Sequence, residues 1–149
     1  MNVIEQKIQA LKTFERNIYD YMRLTVVENE HIIADMNAKV QLYEQGVNRL
    51  GERLDSYRPY KPITIQIKLA KGQPTNRVTL RDEGDFHASF KVIANNISFF
   101  IDATDIKTED LIAKYGEQIL GLTDENLYEL VWEYIYPDLL ETLKKELQV

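Results

Sequence analysis

Between residues 30 and 54, apolar side chains recur in alternating steps of three and four: Ile33, Met36, Val40, Tyr43, Val47, Leu50 and Leu54. That spacing returns each apolar group to one stripe of an α-helix, and such a stripe is stable only against a second surface. The chain is therefore committed to docked helices. A second stripe precedes it in residues 3–24, where Ile4, Ile8, Leu11, Ile18 and Met22 share a face with Phe14 and Tyr21 beside it. Steps of seven from Ile4 reach residue 32, one short of Ile33, so the register slips and predicts a bend or a hairpin near residues 25–31. Gly46 and Gly51 weaken the end of the second helix by about 1 kcal/mol each relative to Ala.

The period then changes. Two prolines make residues 57–62 (YRPYKP) a spacer, because proline breaks a helix and pushes the preceding residue toward extended geometry. Residues 63–69 (ITIQIKL) alternate apolar and polar, which predicts a half-buried strand. Residues 71–77 read as a loop and 78–80 as a short strand. From Phe86 the alternation Phe86, Ala88, Phe90, Val92, Ala94 predicts one arm of a β-hairpin over 86–101, turned at Asn95-Asn96. Residues 107–114 predict a short helix ended by Gly116. Thr123 is placed as the N-cap of a last helix carrying Leu127, Val131, Tyr134 and Ile135 inward. Pro137 must kink or restart that helix. The expected class is α+β: N-terminal amphipathic helices, a small antiparallel sheet, and a C-terminal helix. We expect one domain over 1–149, with parts at 1–55, 60–105 and 106–149.

Composition narrows the function. The net charge is −6, whereas a general nucleic-acid binder needs excess Lys and Arg on one face. There is no cysteine, so disulfides, thiolate nucleophiles and Cys-based zinc sites are excluded. The N-terminal residues carry charges throughout and lack a signal peptide's apolar core. No uninterrupted apolar run is long enough for a membrane span. These features predict a soluble protein made in the cytosol.

Chemistry has few places to reside. Asp82, Glu83, Asp85 and His87 could bind a divalent metal or carry acid–base catalysis. The same acids surround a turn glycine, where carboxylates commonly serve solubility and local hydrogen bonding. Glu28, Glu30 and His31 do not share one helical face; only i,i+3 neighbours such as Glu28 and His31 meet. No phosphate-binding loop, nucleophile elbow, zinc helix motif or dinucleotide fingerprint occurs. The 57–62 run mixes aromatic and basic residues that could stack a nucleic-acid strand, or it lays tyrosines onto the core. The stripe from Ile33 to Leu54 meets either an internal partner, namely the 3–24 helix or the C-terminal helix, or in part another subunit.

Three stretches carry a family likeness. Residues 41–46 (QLYEQG) lead through Gly51 to Tyr60-Lys61-Pro62-Ile63-Thr64. Residues 80–90 (LRDEGDFHASF) hold Leu80, Gly84, Phe86 and Ser89 in the pattern L-x-x-T-G-x-L-x-x-S. Tyr115-Gly116 is followed by Leu120-Gly121-Leu122-Thr123-Asp124-Glu125. In order and spacing these resemble the phage virion morphogenesis proteins, also called tail-completion or head–tail joining proteins, over residues 41–135. Glu83 stands where that family usually has Thr, Phe86 where it usually has Leu, and residues 63–69 read as strand where many relatives are helical. The N-terminal helix matches no motif.

The resemblance implies a non-enzymatic virion component without cofactor. It would act in the host bacterial cytoplasm and the virion, as a homo-oligomeric ring at the tail end or head–tail junction, beside other virion proteins. It implies no direct nucleic-acid, membrane or small-molecule partner. Leu80, Gly84, Phe86, Ser89, Gly116 and Gly121 would then be structural. Ile33, Met36, Val40, Tyr43, Val47 and Leu50 are the candidates for the assembly helix. Two rivals stand beside it: a helical adaptor without a virion role, and a metal-dependent enzyme using Asp82, Asp85 and His87.

Overall fold

The computed structural model describes residues 2–149. Helix α1 (Val3–Arg16) begins in a capping box, in which the Asn2 side chain accepts from the Glu5 amide while the Glu5 carboxylate accepts from the Asn2 amide. A break at Asn17 separates it from α2 (Ile18–Glu28), and Phe14 and Tyr21 stack across the break with ring centroids 4.8 Å apart. A second break at Asn29 leads into α3 (Glu30–Asp35). Ile33 still donates its amide to Asn29 O, so the register slip near residues 25–31 is a bend and no hairpin forms.

From Met36 to Gln45 the helix widens into π-helical turns and ends at Gly46, whose φ of +65° is left-handed. A Cβ there would also sit 3.1 Å from Arg77 Cβ. The expected helix over 30–54 therefore stops at Gln45. Val47, Leu50 and Leu54 follow in a loop, with Val47 bridged to Arg53, and only Leu54–Ser56 coils again as a 3₁₀ turn.

Residues 63–69 are not a strand. They form α4 (Pro62–Ala70), with Pro62 in the first turn where its missing amide is harmless. Lys68 anchors this helix. It is buried, its ammonium donates to Arg81 O at 2.9 Å and Gln73 Oε1 at 3.2 Å, and it lies over the Tyr60 ring. A helix brings that amine to its partners and leaves Ile63, Ile67 and Leu69 exposed. Residues 78–80 form no strand either, although Val78 and Thr79 are buried.

The hairpin is present but shifted. Residues 85–88 coil into a helical turn, α5 (Asp85–Ala88), and the strands are β1 (Phe90–Ala94) and β2 (Phe99–Ala103), antiparallel with Phe90 opposite Ala103 and Val92 opposite Ile101. The turn spans 95–98, where the Asn95 side chain accepts from the amides of Ile97 and Ser98. Helix α6 (Thr108–Tyr115) ends at Gly116 as expected, and α7 (Asp124–Leu130) is capped by Thr123, whose hydroxyl accepts from the Asn126 amide at 3.2 Å. A π-helical turn over Val131–Ile135 leads into α8 (Tyr136–Leu147), which restarts regular helix with Pro137 in its first turn, as expected. The widened turn relieves the clash a proline ring makes in a regular helix.

The architecture is α+β, mostly helical with one two-stranded antiparallel sheet. The core gathers Ile33, Met36, Leu42, Leu54, Val78, Phe86, Phe90, Ile101, Ile119 and Leu130. Helices α1 and α2 run opposite to α8. Lys7 Nζ donates to Leu147 O and Asn29 Nδ2 to Asp138 Oδ2, both at 2.8 Å. Among the described residues no helix is long and apolar enough to cross a membrane.

Candidate assembly surface

The residues that the sequence marks as an assembly stripe divide in two. Ile33 and Met36 are buried, Val40 and Tyr43 half-buried, and Leu50 is exposed in the loop beyond the helix. Tyr43 is covered from within by the guanidinium groups of Arg77 and Arg81, 5.5 and 5.3 Å from its ring centroid. The stripe's internal partners are the hairpin, α5, residues 117–123 and the expected C-terminal helix, through Asn126 and Leu130 of α7.

A row of buried amides fixes that contact. Asn37 donates to Ile119 O and accepts from the Gly121 amide; Gln41 donates to Gly121 O and accepts from the Thr123 amide and from Asn126. Asn126 also donates to Gln45. Gly121 has φ +120°, and a Cβ would come 2.9 Å from Arg49 Cδ, which is why glycine sits where the chain passes this row. Sequence reasoning missed Asn37, Gln41 and Asn126. The signal was there: Asn37, Gln41 and Gln45 recur every four residues beside the apolar stripe.

The other motif residues are structural as well. Phe86 is buried edge-on against Phe90, with centroids 4.9 Å apart. Ser89 Oγ donates to Phe86 O and accepts from the Thr104 amide, tying α5 to the end of β2. Gly84 opens α5 with φ +97°, and Gly116 closes α6, donating to Ile112 O. Leu80 is half-buried at φ +54°, a conformation that strains a non-glycine residue.

The acidic turn does not assemble into a site. Asp82 is paired with Lys71 at 2.5 Å, and that hydrogen bond holds its carboxyl below the usual range. His87 turns away, against Phe86 and Phe90; burial pushes its pKa down to about 4, against a hydrogen bond to the Thr79 backbone. Its Nε2 is buried without a partner. Among the described residues no three His, Asp or Glu side chains are grouped to hold a metal. His31 is exposed, with no hydrogen bond to Glu28 or Glu30. In the 57–62 run both tyrosine hydroxyls are tied to the chain's own backbone: Tyr57, itself exposed, donates to Tyr115 O, and the half-buried Tyr60 accepts from the Thr79 amide.

Known protein families, curated proteins and solved structures contain no match to this chain. Its own surface is what remains to be read. Ile4, Ile8, Leu11 and Met22, the stripe of the first two helices, are uncovered, Ile4 by 71%. Ile18, of the same stripe, is half-buried, and Phe14 beside it and Thr25 are buried. An apolar groove of about 760 Å³ opens between α2, the hairpin tip, residues 120–122 and α7, with Met22, Val26, Phe99, Leu122, Leu127 and Val131 in its wall. On α7 and α8, Tyr128, Trp132 and Tyr136 form an exposed ladder with neighbouring centroids 6.0 and 5.2 Å apart.

Proposed function

We propose that the chain is a non-enzymatic structural protein of a bacteriophage or prophage. It acts in virion assembly at the tail end or head–tail junction, as a ring of copies in contact with other virion proteins. The observation that carries the reading is the balance of apolar surface. Among the described residues fifteen apolar side chains are buried, whereas 24 large apolar ones are exposed, and about half of the exposed ones lie along α1, α4 and the α7–α8 stretch. Isolated surface hydrophobes are ordinary; aligned ones mark interfaces. The motif likeness over residues 41–135 supports the virion role, and the structural parts played by Gly84, Phe86, Ser89 and Gly121 are compatible with it. The test is light scattering behind size exclusion over a wide concentration range. A defined oligomer supports the ring; a monomer at every concentration, alone and with phage partners, overturns it.

The 760 Å³ groove favours a second reading, an adaptor that takes an apolar peptide as a monomer. Oligomeric state separates the two.

A further inference from the structure

Charge along this chain is segregated. Residues 56–81 carry six basic side chains and no acidic one, whereas residues 115–143 carry seven acidic side chains and no basic one. The fold turns these runs into two different faces. On α7 and its π-helical extension, Glu125, Glu129 and Glu133 follow one another every four residues, exposed and without an ion-pair partner among the described residues. Like charges at that spacing repel along a helix unless a cation from elsewhere offsets them. Beside them stand Tyr128, Trp132 and Tyr136, whose ring faces attract cations as carboxylates do.

The other face is the complement. Helix α4 exposes Ile63 and Ile67 one turn apart, and Arg58 and Lys61 lead into it, exposed and with no ion-pair partner among the described residues. Arg58 donates only its Nε, to Lys114 O. Lys71 is neutralised by Asp82, and Arg77 and Arg81 lie over Tyr43, so Arg58 and Lys61 are the cations open to a partner. No hydrogen bond or ion pair joins α4 to α7 or α8 within one chain among the described residues.

We propose that the acidic aromatic face of α7–α8 docks the basic apolar face around α4 of a second copy, with Arg58 and Lys61 between its carboxylates and rings. Because the faces differ, the contact is head-to-tail and propagates into a closed ring or an open helix. This rests on the self-assembly reading above and names the surface that would carry it.

Reciprocal charge reversal in the full chain is the test. Glu129→Lys with Glu133→Lys, and separately Arg58→Glu with Lys61→Glu, each weaken self-association about tenfold or more while circular dichroism is unchanged. Mixed in equal amounts, the two variants assemble again, because each reversed face now meets its opposite. Trp132 emission shifts to shorter wavelength as they do. A misfolded variant cannot be rescued in this way. Should wild type assemble while the reversals have no effect, or the mixture stay apart, the interface is refuted and self-assembly stands. Wild type that never associates overturns both.

Discussion

Helices α1–α2 and the segment 33–45 carry nearly the same apolar spacing, yet one is left open and the other is closed. In 33–45 the stripe is covered by the hairpin, α5 and residues 117–126, and its flanking amides are all paired. In α1 and α2 the same kind of stripe faces outward, and α8 packs on the side of Phe14 and Lys7 instead. Periodicity thus states that a helix has an apolar face. The polar groups beside the face say where it docks: Asn37 and Gln41 reach residues 119–123, whereas Lys7 of α1 reaches Leu147 O at the end of α8.

The contrast can be broken from its strong side. Leu42 is fully buried, and Leu42→Ala is expected to cost about 3 kcal/mol in urea unfolding through lost transfer and a residual cavity. Next, Gln41→Ala leaves Gly121 O and the Thr123 amide without their partner, for a loss of about 1–3 kcal/mol. If it unfolds no more easily than wild type, the amide row is not what fixes the docking. Thr123→Ala removes the α7 cap at about 1 kcal/mol, read in the same titration.

Acid sharpens the comparison, because the half-buried imidazole of His87 lies on the closed side. Folding lowers the His87 pKa from 6.5 to about 4, so the unfolded chain binds the proton more readily. The stability this contributes is fully present above pH 6.5 and is lost as pH falls toward 4. His87→Phe is expected to flatten the fall in urea midpoint across that window; an unchanged slope would place the acid sensitivity elsewhere. Smallest in stability is Ile8→Ser on the open stripe, within about 0.5 kcal/mol of wild type. Its effect should appear in light scattering instead, as weaker association.

How much the sequence disclosed follows from where local rules suffice. The Thr123 cap, the Gly116 stop and the hairpin's existence rest on neighbours in sequence, and each was legible. The 63–69 error arose because Ile63, Ile65, Ile67 and Leu69 alternate as a strand does. The helix they form instead buries Lys68, whose amine reaches Arg81 O, thirteen residues away, a contact no local pattern displays. The helical turn at 85–88 was hidden likewise, since Phe86 belongs to α5 while Phe90 opens the strand, and both feed one core cluster. For the candidate surface, the stripe in α1 was visible as a stripe, but its exposure depends on which side α8 covers.

The π-helical turn over Val131–Ile135 has a geometric consequence for the surface. In a regular α-helix residues four apart drift by about 40° around the axis, so three rings spaced by four would fan out. Wider turns advance less per residue and bring the third ring back into line. The turn that makes room for Pro137 thereby also sets the azimuth of Tyr136 beneath Trp132. Deleting one residue there would leave every atom of the ladder present but its rings out of phase.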